Sequence, residues 1–339
     1  MQAIKSFPPG PLTAGPLTAA PGTVVRGQID LVELADGTPV RFPLVLVNGA
    51  RPGPRLYLGA AIHGDEVNGI AILAKVIAAI DPARLAGSIV CVPVQHPLAF
   101  YADHRFPVSQ FMKSPLDQAP IDAWTVFPGD IKGNLAQIVA GKLFALIREC
   151  SCAIDIHTPT RGGRYVPIAI LPSMRLGAAA ERALWLAEQC ATGFIVRGER
   201  GMYVSRGISC VEATAAGVPA FTFEIGEGGR LEQGVTDEGA RCITNALIGL
   251  SMIDGERKLP PVSHMMSDFL GLRATRGGLL RTEVELGAVV AKDQVLATIV
   301  DIWGDTAETI RAPVAGVFVR ATTLSNVSTG ERAATLGLF

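Results

Sequence analysis

The segment Leu56-Tyr57-Leu58-Gly59-Ala60-Ala61-Ile62-His63-Gly64-Asp65-Glu66 sets the architecture to expect from this chain. Its first six residues, Leu56–Ala61, are an apolar run of strand length that delivers the chain onto a histidine and a glutamate. Gly69–Ile80 then reads as a helix closed by Asp81-Pro82, and Ile89–Val94 as the next strand. The unit recurs downstream. Leu135–Arg148 carries apolar residues at helical spacing, Ala153–Ile156 reads as a strand and Met174–Cys190 as a helix. Ser209–Ala216 reads as a short helix, Pro219–Glu224 as a strand and Glu238–Ile253 as a last helix. Strands alternating with helices predict an α/β sheet covered by helices on both faces.

Outside this block the texture changes. Met1–Pro21 is rich in Pro, Gly and Thr and repeats Gly-Pro-Leu-Thr-Ala, which predicts a solvated arm. Thr23–Leu34 and Thr38–Asn48 alternate around Ala35-Asp36-Gly37, a hairpin signal. Arg51-Pro52-Gly53-Pro54 is a break, and Pro260-Pro261 is another. Beyond the second, short β-branched runs between glycines predict a small all-β domain. The expected organisation is an arm and hairpin over 1–50 that join the main domain, a catalytic domain over 51–260, and a C-terminal β domain over 261–339. Gly287-Ala-Val-Val-Ala-Lys-Asp-Gln-Val-Leu and Ala312-Pro-Val-Ala-Gly-Val resemble a biotinyl/lipoyl-like barrel. The lysine which that fold modifies is absent from the expected hairpin, so the domain reads as structural.

Composition narrows the partners. Lys+Arg number 30 against 31 Asp+Glu, which removes most of the electrostatic case for nucleic acid, whose phosphates need a basic face, and no nucleic-acid partner is expected. Hydrophobic residues make up 49% and mean hydropathy is +0.34, yet the longest apolar runs, Ala71–Ala79 and Ala246–Ile253, fall short of the roughly 18 to 20 residues that span a bilayer. No membrane association is therefore expected. Met1–Pro21 shows no basic-plus-apolar export signal, which points to the cytoplasm and to reduced, buried cysteines (Cys91, Cys150, Cys152, Cys190, Cys210, Cys242). Cys150-Ser-Cys152 lacks the spacing and the second pair of a metal site. Edges in the β regions predict a homo-oligomer.

Three strands deliver titratable groups to one edge of the sheet. Leu56–Ala61 runs into His63 and Glu66, Ala153–Ile156 into His157, and Pro219–Phe223 into Glu224. In open α/β sheets catalytic groups gather beyond the carboxyl ends of strands. Two histidines and a carboxylate with an open position are the composition of a catalytic zinc site, and a further carboxylate nearby is the base that metal-assisted hydrolysis needs. Asp155, two residues before His157 and on the same side of its strand, is a candidate anchor for a ligand histidine.

His63-Gly-Asp-Glu66, Asp155-Ile-His157-Thr and Phe221-Thr-Phe-Glu224-Ile-Gly resemble the succinylglutamate desuccinylase/aspartoacylase family of the zinc carboxypeptidase clan, over Ala50 to Ile253. The resemblance implies a zinc-carboxypeptidase-like mixed sheet with helices on both faces and a small C-terminal all-β domain. It implies one zinc ion per chain held by His63, Glu66 and His157, with Glu224 as general base and acid. It further implies that Arg105 polarises the scissile carbonyl and that Tyr203 matches the mobile tyrosine of the carboxypeptidases. The expected activity is hydrolysis of a small amide of the N-acyl amino acid type. The same centre would also serve a carboxypeptidase, an esterase or a cyclic-amide hydrolase, and a silent ligand-binding relative would keep the residues without turnover.

The departures from that family are specific. Its Asp-Leu-Asn-Arg, which grips the substrate's α-carboxylate ahead of Phe-Pro-Gly, is here Asp122-Ala123-Trp124-Thr125. The preceding Asn-Pro is His96-Pro97, and an insertion, Pro107–Ile121, follows Arg105. Threonine and tryptophan cannot make a bidentate carboxylate grip. Either another cation does that work, Arg161 and Arg164 just after His157 being the expected replacements, or the substrate lacks the carboxylate at that position; Trp124 and Thr125 are expected to line the substrate pocket.

Overall fold

The computed structural model describes residues 4–107 and 121–339. Strand Arg51–Ala60 lies at its centre, parallel to Ala86–Val92 on one side and to Cys152–His157 on the other. Ala220–Glu227 extends the parallel block in a register that sets Glu224 beside His157. Every residue of Ala86–Val92, Cys152–His157 and Ala220–Glu227 is buried, as parallel strands covered on both faces must be.

The two faces carry separate cores. Leu56, Leu58, Ile154, Phe221 and Phe223 pack under helices Asn68–Ala78, Ala178–Cys190 and Gln233–Gly249. Tyr57, Val90, Val92 and Ala153 face the opposite way, against Val139, Leu143 and Ile147 of helix Leu135–Arg148 and Val211 of Ser209–Ala215. The alternation along one strand thus feeds both cores. Helix Leu135–Arg148 opens on a capping box in which Asn134 and Gln137 each accept from the other's backbone N–H. The expected helix Met174–Cys190 is interrupted: Gly177, at φ +67°, separates a 3-10 turn at Met174–Leu176 from Ala178–Cys190. The last helix begins at Gln233, ahead of the expected Glu238, because Val235 and Thr236 already face the core.

The N-terminal segment departs from the expected solvated arm. The two copies of the repeat pair with each other, Leu12–Ala14 against Leu17–Ala19, with the turn at Gly15. Leu12 and Ala19 are buried in the core that contains Phe42 and Leu44, and Asn48 Nδ2 donates to the carbonyls of Gly10 and Ala19 at 2.9 and 2.8 Å. Composition suggested solvent, but Leu12 and Ala14, two residues apart, share the strand face that meets the core, while Thr13 between them faces out. Leu12→Ala is accordingly expected to cost about 2 kcal/mol in denaturant unfolding; an unchanged midpoint would return the segment to solvent.

The antiparallel hairpin Thr23–Glu33 and Pro39–Asn48 joins the sheet through Ala86–Val92. At the other side Gly163–Ile170 runs antiparallel to Ala220–Glu227. The sheet continues from there into the C-terminal segment, where Gly316–Thr322 pairs with Gly163–Ile170 and is followed by Arg332–Leu338 and Asp268–Arg273. A separate four-stranded antiparallel sheet completes that end of the chain. All six cysteines are free and buried, and burial pushes the Cys150 thiol up to about 12. No helix among the described residues is long and apolar enough to cross a membrane.

Candidate active site

The loop after strand Arg51–Ala60 is held tightly. Ala61 sits at φ +49°, Gly64 N donates to His104 O at 3.0 Å, and Glu66 N donates to His63 O at 3.2 Å. That last bond closes a turn which turns His63 and Glu66 to the same side. Gly64 is required, because a Cβ there would lie 1.8 Å from the backbone oxygen of Ala99. Part of the Pro107–Ile121 insertion, residues 108–120, lies outside the described residues.

His63 Nδ1 lies 2.8 Å from Glu66 Oε1 and His157 Nδ1 lies 3.0 Å from Glu66 Oε2. One ligand atom from each of the three falls within 4.8 Å of the others, and all three side chains are buried. The far nitrogens face carboxylates. His63 Nε2 is 3.1 Å from Asp122 Oδ1, and His157 Nε2 is 3.1 Å from Asp155 Oδ2, the latter off hydrogen-bond angle. Asp155 is itself fixed by Gln95 Nε2 at 2.7 Å and Ser209 Oγ at 2.6 Å. Carboxylates behind the rings favour the Nε2–H tautomers and leave both Nδ1 lone pairs aimed at one point, the arrangement of metal-binding imidazoles. Burial opposes the charged form of His157, but Asp155 and Glu66 outweigh it and hold its pKa well above the ordinary histidine value. Burial likewise opposes the charge on Glu66, and the two histidines overcome it and keep its carboxyl well below the carboxylate range. The donor set and its burial fit a divalent cation.

Glu224 stands on the neighbouring strand. Its Oε1 accepts from Tyr203 Oη at 2.7 Å, while Oε2 is buried and has no partner. Burial, reinforced by the negative charge of Glu66, raises its carboxyl above the ordinary glutamate value. Arg105 donates from Nη2 to Asp122 Oδ2 at 2.6 Å and reaches within 3.9 Å of Glu66 Oε1 from Nη1. Asp122, to which the sequence reading assigned no role, therefore ties Arg105 to His63 and also caps the turn that carries Trp124. Trp124 is buried, with ring centroids 5.2 Å from His157 and 5.5 Å from Tyr203.

These residues line one cavity of about 260 Å³. It brings His63, Glu66, His157, Glu224, Arg105, Tyr203 and Trp124 together. The other residues expected at the substrate lie elsewhere. Thr125 turns its Oγ1 onto the Asp122 carbonyl at 2.9 Å, because it ends the same capped turn. Arg161 is drawn outward to Asp103 Oδ2 at 2.7 Å, and Arg164 makes a two-pronged pair with Glu232. None of the three lines the cavity. Two arginines that the sequence reading missed do so: Arg320 and Arg332, from strands Gly316–Thr322 and Arg332–Leu338. Arg320 had a signal, a lone charge in the apolar run Gly316-Val-Phe-Val-Arg320-Ala.

Residues 52–250 match the model of the succinylglutamate desuccinylase/aspartoacylase catalytic domain. The chain is 24% identical over 271 residues to an N-alpha-acetyl-L-2,4-diaminobutyric acid deacetylase of Halomonas elongata, covering 78% of this chain and 75% of that protein. Its fold is similar to a product-bound structure of the ectoine utilization protein EutE (DoeB) from Ruegeria pomeroyi, with a TM-score of 0.80, 24% identity, and 98% and 99% of the two chains covered. It is equally similar in fold to a succinylglutamate desuccinylase from Silicibacter sp. TM1040, with a TM-score of 0.80, 22% identity, and 96% and 99% covered.

Proposed function

Because the chain belongs to the succinylglutamate desuccinylase/aspartoacylase family, we propose that it is a zinc-dependent hydrolase of small amides of the N-acyl amino acid type. The observation that carries this reading is the convergence of His63, Glu66 and His157 on one buried point beside the unpartnered Glu224 Oε2. His63, Glu66 and His157 would hold the ion, a donor set suited to a catalytic site that keeps an open position. When bound, zinc supplies Lewis acidity, easing deprotonation of water near neutral pH and drawing charge from an acyl oxygen.

The chain's own residues do the rest. Glu224 takes the proton of the attacking water at Oε2 as oxygen adds to the acyl carbon, and returns a proton to the amine nitrogen as the C–N bond breaks. The products are a carboxylate and a free amine. Its raised pKa brings the carboxyl nearer to the working range of an acid–base group. Tyr203 pins Oε1 and so directs Oε2 to the reacting centre. Arg105, held by Asp122 against the metal-ligand cluster, donates to the oxygen on which negative charge grows. The Trp124 ring walls the site against water. The deacetylase activity in the name of the Halomonas elongata relative supports an amide over an ester as the bond cleaved.

The zinc-loaded protein is expected to hydrolyse members of a panel of N-acyl amino acids, to stop on chelation and to recover on adding zinc. His63→Ala is expected to lose bound metal and turnover together. Full turnover by a metal-free preparation would overturn the reading.

A further inference from the structure

We propose that Arg320 and Arg332 form a carboxylate subsite in the active cavity, and that this subsite selects N-acyl amino acids whose only charge is that carboxylate against those that also carry an ammonium group. The proposal rests on the deacylase reading above and names the substrate class of the same site.

The case begins with charge accounting around the cavity. The nearby arginines other than this pair are neutralised: Arg105 by Asp122 at 2.6 Å, Arg161 by Asp103 at 2.7 Å, Arg164 by Glu232. Among the described residues, no ion pair engages Arg320 or Arg332. The side chain of Arg320 has a long hydrogen bond, 3.4 Å, from Nη1 to Thr322 Oγ1. Its position is unfavourable as it stands. Burial lowers its pKa and the like charge of Arg332 adds to the effect, against the opposing pull of Tyr165, Tyr203 and Glu224, although a guanidinium stays protonated throughout the working range. Two positive forks facing one cavity, neither of them ion-paired to a described acid, are what a carboxylate or other planar anion completes.

Position supports the assignment. Arg320 and Arg332 come from adjacent antiparallel strands, and the Arg320 strand pairs directly with Gly163–Ile170, setting Arg320 opposite Tyr165. Arg320 is half-buried and Arg332 exposed, so the pair spans from the interior to the cavity mouth. The grip that threonine and tryptophan cannot supply at 124–125 is thereby available from another side of the cavity.

Exclusion of a cation follows from the acids present. The carboxylates that line the cavity are those of Glu66 and Glu224, one in the metal-ligand cluster and one the base. Among the described residues no third acid is left to receive an ammonium, and the remaining wall includes Trp124, Tyr165, Met202 and Tyr203. A substrate with a positive side chain would meet two unpaired arginines and aromatic surface.

The test compares N-acetyl-L-leucine, its carboxamide N-acetyl-L-leucinamide, and N-alpha-acetyl-L-2,4-diaminobutyrate with the zinc-loaded protein. Arg320→Gln is expected to raise KM for N-acetyl-leucine about 10–100-fold, the worth of charge-assisted hydrogen bonds, and to leave KM for the carboxamide unchanged. Arg320→Lys should recover part of the loss, and Arg332→Gln, at an exposed position, should show the same selectivity with less risk to folding. Equal losses on acid and amide would overturn the subsite, and turnover of the diaminobutyrate derivative as efficient as that of N-acetyl-leucine would overturn the charge selection. If the wild type cleaves none of the three, the deacylase reading fails for this class and calorimetric binding decides the subsite. Preference for N-acetyl-leucine over its amide, lost in Arg320→Gln, upholds it; equal binding removes it.

Discussion

Glu224→Gln is expected to lower kcat by about 10²–10⁴-fold, the range for a general base, with zinc content unchanged. Glutamine keeps the shape of the side chain, and its carbonyl oxygen can still accept from Tyr203 Oη, a bond now 2.7 Å long. What it loses is the capacity to take a proton at the second position, where Glu224 Oε2 is buried and unpartnered. The carboxylate among the proposed ligands is that of Glu66, clasped between both histidines, so the metal should stay. Turnover and metal content measured on one preparation check the claim. A variant that lost zinc in step with activity would make Glu224 a ligand and remove it as the base.

Gly64→Ala is expected to be as damaging by a different route. A methyl group there would lie 1.8 Å from Ala99 O and 2.0 Å from its carbonyl carbon, and backbone cannot swing aside as a side chain would. Either helix Pro97–Tyr101 or the loop carrying His63 and Glu66 must shift. The loop is also tied by Gly64 N to His104 O, so the strain reaches both metal-ligand candidates. A loss at the far end of the single-substitution range, above about 4 kcal/mol, is expected in unfolding experiments, with zinc binding impaired in any folded fraction. Wild-type stability together with wild-type metal affinity would contradict the tight packing of this turn.

The parts of the site that were legible in the sequence are those in which order along the chain dictates position in space. His63, His157 and Glu224 each follow an apolar run, and parallel strands of one sheet bring their carboxyl ends to one edge. The lone charge of Arg320 in an apolar run stood out in the sequence, but the place of Arg320 and Arg332 in the cavity was not legible, for the opposite reason. Arg320 reaches the cavity because its strand pairs with Gly163–Ile170, a contact between remote segments that no local spacing encodes. Arg161 and Arg164 were attractive by proximity to His157, but proximity in sequence carried them past the cavity, to Asp103 and Glu232. The N-terminal repeat shows a third limit. Its Pro, Gly and Thr content resembles a solvated segment, while burial depends on which face of a three-residue strand meets Phe42 and Leu44. Gly177 marks a fourth: nothing in the apolar spacing across Met174–Cys190 announces its left-handed backbone angle.

The continuity of the main sheet into the C-terminal strands gives the cavity an order of assembly. A ribosome-bound chain whose last emerged residue is Met252 already contains His63, Glu66, His157, Tyr203 and Glu224, but neither Arg320 nor Arg332. In the strand Gly163–Ile170, Ile168–Ile170 has Phe194–Val196 as a neighbour from the earlier segment, whereas Gly163–Tyr165 gains its partner on that side only with Gly316–Thr322. The residues of the proposed chemistry thus lie in the earlier-synthesised segment and those of the proposed selectivity in a later one, so a chain stopped at Met252 would carry the candidate metal-binding residues and lack both guanidiniums.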